Sequence, residues 1–427
     1  MSKKANRVIW VCRDCGGEHI NWSGKCSYCG NWNTLAEMKD EALTPDRQSE
    51  ALEPISIDKV KIDTKTRLIS SIDEFNLALG GGIVKGSVIL IGGQPGIGKS
   101  TLIWQVASTI GGVVCYVSAE ESPQQIKIRA ERLGKISKNI LIFDGRDIDS
   151  ILSSIKKLSP SLLIVDSIQT VSSSEVSGTA GNILQVRYCT LKLIDYAKRN
   201  SVATIIIGHV TKEGEVAGPK TLEHLVDGVF YLEGVSSGEE RFLRATKNRF
   251  GPTDEIGIFE MRSNGLISAL NFGRMKPSTI LPEGVSRSAV IEGSRVILLE
   301  VQALVQKSSS VIPRRNSVGY DLNRLHMLCA IISKHLNLDL SNMDVFLNIS
   351  EGYKLRSTMA DAACAMSIIS SFKNQPLSGE KLYIGELDLS GALHLSSSAK
   401  KIIKLAEKAG FTAQYKNHSL AGLAKGF

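Results

Sequence analysis

No run of about 18 apolar residues occurs anywhere in the chain, so no membrane-spanning helix is expected. The N-terminal stretch MSKKANRVIW carries positive charge but lacks an apolar core and a small-residue cleavage site, and no secretory signal is read there. A strong charge bias is also missing. The formal net charge of +8 suits a polyanionic partner such as nucleic acid without demanding one. These absences point to a cytoplasmic chain, in which the eight cysteines are not expected to form disulfides. What is present is ample apolar material, 43% of 427 residues, enough to bury the cores of two or three domains.

The stretch Ser87 to Ala107 organises the rest. Val88 to Ile91 reads as a strand and feeds into Gly93-Gln94-Pro95-Gly96-Ile97-Gly98-Lys99-Ser100, with Thr101 following at the head of a helical pattern. This matches G-x-x-x-x-G-K-[ST] in its proper strand-to-helix setting. The glycines let successive N–H groups face a polyphosphate, and the helix adds its positive end. Lys99 is placed to reach the β- and γ-phosphates of ATP, and the Ser100 hydroxyl to ligate Mg²⁺.

Four cysteines fall within the first thirty residues as Cys12-x2-Cys15 and Cys26-x2-Cys29, with Gly16 and Gly30 directly after the pairs. Two such knuckles supply four thiolates, the number that fills a tetrahedral Zn²⁺ shell. A redox dithiol needs only one pair. Trp10, Trp22 and Trp32 are expected to pack around this site and supply the missing core of so small a module. Cys115, Cys189, Cys329 and Cys364 stand singly in apolar segments and read as buried packing residues.

Residues 39 to 58 form a polar, acidic linker without periodicity. From Ile83 onward strands and helices alternate as a parallel sheet requires. Leu162 to Val165 is an apolar strand closed by Asp166, and Val113 to Val117 leads into Ser118-Ala119-Glu120-Glu121-Ser122. The C-terminal ends of parallel strands share one edge, so Asp166 and Glu120 are expected to face the nucleotide together. Asp166 then binds Mg²⁺ directly or through water, and Glu120 or Glu121 polarises the attacking water. Two loops, Ser172 to Gly181 and Thr211 to Lys220, have no packing pattern and belong to the same edge; His209 precedes the second. In Lys247-Asn248-Arg249-Phe250-Gly251 a Lys and an Arg at i and i+2 share a strand face, where two cations can clamp a phosphate.

Taken together, these residues resemble the bacterial RadA/Sms family of DNA-repair ATPases. The likeness is carried by the zinc knuckles, Gln94 to Thr101, Tyr116 to Ser122, Gly208-His209-Val210-Thr211-Lys212-Glu213-Gly214 and Lys247 to Gly251. It implies a RecA-like motor that assembles as a hexameric ring on single-stranded and branched DNA, with ATP between neighbouring subunits and the recombinase RecA as a partner. Lys247 and Arg249 would reach the next subunit's nucleotide, His209 would sense the γ-phosphate, and the two loops would line the DNA channel.

In that family the C-terminal part is similar to the proteolytic domain of Lon. Setting the register on Glu351-Gly352 and Gly385-Glu386 puts Ala360 where Lon carries its nucleophilic serine and Lys400 near the place of its lysine. Without the hydroxyl a Ser–Lys dyad has no acyl-enzyme chemistry, so no peptidase activity is expected. The expected fold class is α/β: a RecA-like P-loop ATPase core, an N-terminal zinc ribbon and a C-terminal α+β Lon-protease-like domain. The expected boundaries are 1–38 for the ribbon, 39–58 for the linker, 59–275 for the motor and 276–427 for the last domain. The competing reading is a nucleotide-switched signalling ATPase of the KaiC type that does not act on DNA.

Overall fold

A computed structural model describes residues 8–13, 16–39, 56–59, 67–134, 136–209, 222–234, 238–269, 272–355, 357–397, 399–415 and 418–425. It divides into two compact units, one of residues 1–234 and 241–268, the other of residues 235–240 and 269–427.

The first unit begins with three short antiparallel strands, β1 (Val8–Cys12), β2 (Glu18–His19) and β3 (Leu35–Lys39), in the order β2-β1-β3. The small hairpin of β4 (Arg67–Leu68) and β5 (Ile83–Val84) encloses helix α1 (Asp73–Ala78). The main α/β core then runs β6 (Val88–Gly92), α2 (Lys99–Ala107), β7 (Val114–Ser118), α3 (Pro123–Arg132), β8 (Ile140–Asp144), α4 (Ile148–Ile155), β9 (Leu162–Asp166), α5 (Ile183–Asn200) and β10 (Ala203–Ile207). Four further strands follow: β11 (Gly228–Gly234), β12 (Glu240–Asn248), β13 (Ile256–Arg262) and β14 (Gly265–Ser268). All nine from β6 onward make one mixed sheet in the order β14-β13-β12-β11-β6-β10-β9-β7-β8.

The continuous apolar runs of this sheet have a simple cause. Ile89 and Ile91 of β6, Ile205 and Ile207 of β10, Leu162 and Ile164 of β9, and Val114 and Tyr116 of β7 join one core. Their alternate neighbours Val88, Leu90, Ile206, Leu163, Val165, Cys115 and Val117 join another on the opposite face. Helices cover both faces, so neither set of alternating residues can be polar. Helix starts follow local chemistry. Ser122 and Gln125 form a capping box around Pro123 at the head of α3, and Asn182 caps α5 through Leu184 N–H.

The second unit is α+β. Strands β15 (Val285–Glu292) and β16 (Arg295–Lys307) make a long hairpin turned at Gly293, and join β17 (Arg315–Val318) and β18 (Met343–Ile349) in the order β15-β16-β18-β17. Helices α6 (Leu322–Leu336), α7 (Asp361–Lys373), α8 (Ala399–Lys408) and α9 (Leu420–Lys425) accompany it. A fully buried carboxylate fixes the head of α7: Asp361 accepts from Tyr320 Oη at 2.6 Å, Arg324 Nε at 3.1 Å and Leu387 N–H at 3.3 Å. Removing the Arg324 guanidinium would leave that charge uncompensated, at a cost of about 3–5 kcal/mol. All four tryptophans lie in the first unit. Arg324→Ala is therefore expected to shift the denaturant transition seen by far-ultraviolet circular dichroism, and to move tryptophan fluorescence much less.

Candidate nucleotide and metal sites

The loop after β6 depends on glycine geometry. Gly98 caps α2 with φ 110°, and Gly93 and Gly96 also take positive φ, 152° and 75°. A Cβ on Gly98 would come 2.6 Å from Met261 Cε, and one on Gly93 would come 2.6 Å from the Leu232 carbonyl oxygen. Gln94, Pro95 and Gly96 are exposed, while Ile97, Ser100 and Thr101 are half-buried. The first turn of α2 has no side-chain cap, so its leading N–H groups are open to an anion.

Lys99 is only 3% exposed. Its Nζ donates to the carbonyl oxygens of Gly93 at 2.9 Å and Gln94 at 3.0 Å, and lies 3.1 Å from His209 Nδ1. Burial pushes its pKa down to about 8, against the opposing pull of Asp166 and Glu120. Because an ammonium can only donate, His209 Nδ1 accepts and the imidazole proton sits on Nε2. That nitrogen is 3.4 Å from Glu120 Oε1, the same oxygen that accepts from Ser167 Oγ. Hydrogen bonding from His209 is the largest influence holding the Glu120 carboxyl below its ordinary range, with Ser167 and the Lys99 charge adding to it.

Register explains why these groups meet. Ser118 pairs with Asp166, and Asp166 pairs with Ile207. The ends of β7, β9 and β10 are therefore level, and they deliver Glu120, Asp166 and His209 to the edge where β6 releases the phosphate loop. Asp166 is 7% exposed and accepts from Tyr116 Oη through Oδ2 at 2.5 Å. Glu121 is engaged elsewhere, with Oε2 2.6 Å from Arg129 Nη1; burial raises its pKa, partly offset by that guanidinium.

Lys247 and Arg249 lie at the other end of the sheet. Gly228 of β11 pairs with Ile89 near the start of β6, and β12 returns with Asn248 opposite Gly228. Lys247 Nζ donates to the carbonyls of Glu223 at 2.8 Å and His224 at 3.3 Å. Arg249 falls one residue past the strand, with Nη1 3.3 Å from Asp227 Oδ1. Asp227 in turn accepts from Val88 N–H at 3.1 Å. The two cations thus take separate protein partners, beside the start of the strand whose far end carries the phosphate loop, and half of the Arg249 side chain stays exposed.

Of the two loops expected at the ligand edge, Ser172 to Gly181 has a packing anchor that its composition hides. The buried Gln185 side chain binds Ser173 N–H and the carbonyls of Ser173, Val176 and Gly178. Thr211 to Lys220 lies outside the described residues.

At the N-terminus, the Sγ atoms of Cys12, Cys26 and Cys29 lie within 4.8 Å of one another, with Cys12 and Cys29 at 3.7 Å. Sulfurs about 2.3 Å from a tetrahedral Zn²⁺ would sit at about that separation. The two knuckles repeat one backbone pattern: Gly16 N–H bonds the Cys12 carbonyl and Gly30 N–H the Cys26 carbonyl, with φ of 74° and 77° at the glycines. Cys15 is outside the described residues. The donor set fits zinc. The tryptophans depart from expectation. Trp10 packs on the cysteine cluster, but Trp22 and Trp32 are 56% and 69% exposed. Packing of Cys26 against the cross-strand pair Cys12 and Leu35 already forms the small core, which leaves those two rings to solvent and Lys25 lying over Trp32.

A family model described as ATPase: KaiC matches residues 68–140. The DNA repair protein RadA of Campylobacter jejuni is 44% identical over 95% of this chain and 93% of its own length. That of Bacillus subtilis is 42% identical over 94% and 90%, and that of Streptococcus pyogenes 41% identical over 97% and 93%. The chain belongs to the RadA family. Its fold is the RecA-like and KaiC-like P-loop core joined to the cysteine cluster.

Membership in the RadA family leaves three parts of the site that sequence reasoning missed. Ser167 shares Glu120 with His209, Asp227 anchors Arg249, and Tyr116 and Arg129 stand behind Asp166. Only Tyr116 had a visible signal, a hydroxyl in the middle of a strand whose other residues are packed on both sides. His19 is a fourth, with Nε2 3.4 Å from Cys26 Sγ. The purified chain is expected to hold about one zinc ion, and Cys26→Ser to hold none; a chromogenic zinc-release assay would read both.

Proposed function

We propose that this chain is an ATPase of recombinational DNA repair, a hexameric ring motor that moves along single-stranded DNA and drives branch migration of intermediates formed by RecA. The observation that carries the reading is the convergence of Lys99, Glu120, Asp166 and His209 on the sheet edge that bears the phosphate loop. Full-length similarity to DNA repair proteins RadA supports the DNA part. Mg²⁺, held by the Ser100 hydroxyl and Asp166, would supply charge neutralisation at the β- and γ-phosphates.

In this mechanism the loop N–H groups and Lys99 hold the phosphates in line, and Glu120 orients and deprotonates the attacking water. Glu120 is preferred to Glu121 because Glu121 is committed to Arg129, whereas Glu120 accepts from Ser167 directly and is linked through His209 to Lys99 of the phosphate loop. His209, bonded to Lys99 on one nitrogen and facing Glu120 on the other, is the group through which γ-phosphate occupancy reaches the loop that follows it. Lys247 and Arg249 stand too far along β6 to serve their own phosphate loop, and we assign them to a neighbour's nucleotide, as arginine fingers act. Buried Ala360 at the head of α7 has no hydroxyl, which supports a non-proteolytic role for the second unit.

Steady-state hydrolysis with and without single-stranded DNA, at two salt concentrations, tests the reading. Stimulation that weakens with salt and vanishes in Lys99→Ala is expected, because phosphate contacts release counterions. Hydrolysis indifferent to DNA would sink the motor and favour the KaiC-like switch, which the match over residues 68–140 otherwise fits. For the shared site, Lys99→Ala and Arg249→Ala subunits are each expected to be inactive alone and to recover activity when mixed. Mixtures as dead as the parents would count against action in trans.

A further inference from the structure

Behind Asp166 lies a cluster that the motor reading does not use. Tyr116, in the middle of β7, is fully buried. Its hydroxyl donates to Asp166 Oδ2 at 2.5 Å and accepts from Arg129 Nη2 at 3.1 Å. Arg129, on α3, is in turn gripped by Glu121 at 2.6 Å, an ion pair and not an aligned hydrogen bond. The ring of Trp104, on the phosphate-loop helix α2, stands edge-on to Tyr116 with centroids 5.4 Å apart. Tyr116 therefore cannot swing away from Asp166 without breaking its contacts to both α2 and α3.

The chemistry of the contact has a direction. A phenol that accepts from a guanidinium becomes a stronger donor, and a carboxylate held by that donor keeps one rotamer. Oδ2 of Asp166 is thus occupied by Tyr116, and Asp166 closes β9 at the end of the sheet where β6 releases the phosphate loop. We infer that Tyr116 and Arg129 are positioning residues for the magnesium ligand: they hold Asp166 so that a single oxygen serves the metal, and Glu121 serves to hold Arg129. The inference rests on the proposed ATPase site and specifies how its metal ligand is set. It also links Glu121, directly after the proposed base, to the Mg²⁺ ligand through two side chains, Arg129 and Tyr116.

The test uses the full-length, zinc-loaded protein. Binding of a fluorescent ATP analogue is titrated with Mg²⁺ and repeated with Mn²⁺ followed by paramagnetic resonance, for wild type, Tyr116→Phe, Arg129→Lys and Glu121→Gln. Tyr116→Phe keeps the ring against Trp104 and deletes only the hydroxyl. It is expected to raise the Mg²⁺ concentration for half-maximal binding about tenfold, the effect of losing one hydrogen bond to a charged group, with Arg129→Lys and Glu121→Gln shifting it progressively less. Binding measured in excess EDTA should stay the same in all four proteins. Unchanged metal dependence in Tyr116→Phe, with or without a lower melting temperature, would make the cluster packing only and overturn the inference while leaving the ATPase reading intact. A wild type that binds no nucleotide with either metal would remove the ATPase reading and this inference with it.

Discussion

Level pairing of β6, β10, β9 and β7 is the constraint on which the nucleotide site depends. Parallel strands in register end together, and here each ends in a group with chemistry: the phosphate loop, His209, Asp166 and the Glu120 turn. A slip of one residue in any pairing would turn the terminal side chain to the other face of the sheet. The two apolar cores oppose such a slip, because each strand contributes alternate residues to both. The cores therefore fix the register on which the meeting of Glu120, Asp166 and His209 depends.

The antiparallel extension has a different task. Strand β11 runs parallel to β6 toward its loop end, and β12 returns antiparallel beside β11, which sets Lys247 and Arg249 at the distance of the whole strand from their own phosphate loop. Asp227 is the joint there, since it binds both the first N–H of β6 and the guanidinium of Arg249. A short extended segment thus has a nucleotide-binding loop at one end and an exposed arginine at the other.

Much of this was legible in the sequence, for identifiable reasons. The phosphate loop announces itself because glycine, lysine and serine are required at fixed offsets by backbone geometry, and that geometry is local. Asp166 and Glu120 could be assigned to one edge because each closes an apolar run, and parallel topology does the rest. The buried single cysteines followed from their apolar neighbours, and all four are buried. What escaped was the partnering of side chains across elements. Nothing in the spacing tells that Tyr116 meets Asp166, fifty residues away, or that Arg129 meets both Tyr116 and Glu121. Trp22 and Trp32 were misplaced for the opposite reason: aromatic rings usually mark a core, but this ribbon is closed by sulfur and a leucine and has no interior left to fill.

The posture of Lys99 has one more consequence. The ammonium is already saturated, with two loop carbonyls and an imidazole nitrogen around it. An arriving polyphosphate thus trades partners with the protein, and the carbonyls of Gly93 and Gln94 must find water or cation in exchange. Under the proposed nucleotide role, a phosphate that draws Lys99 away also frees His209 Nδ1, so filling of the loop and release of the imidazole are coupled.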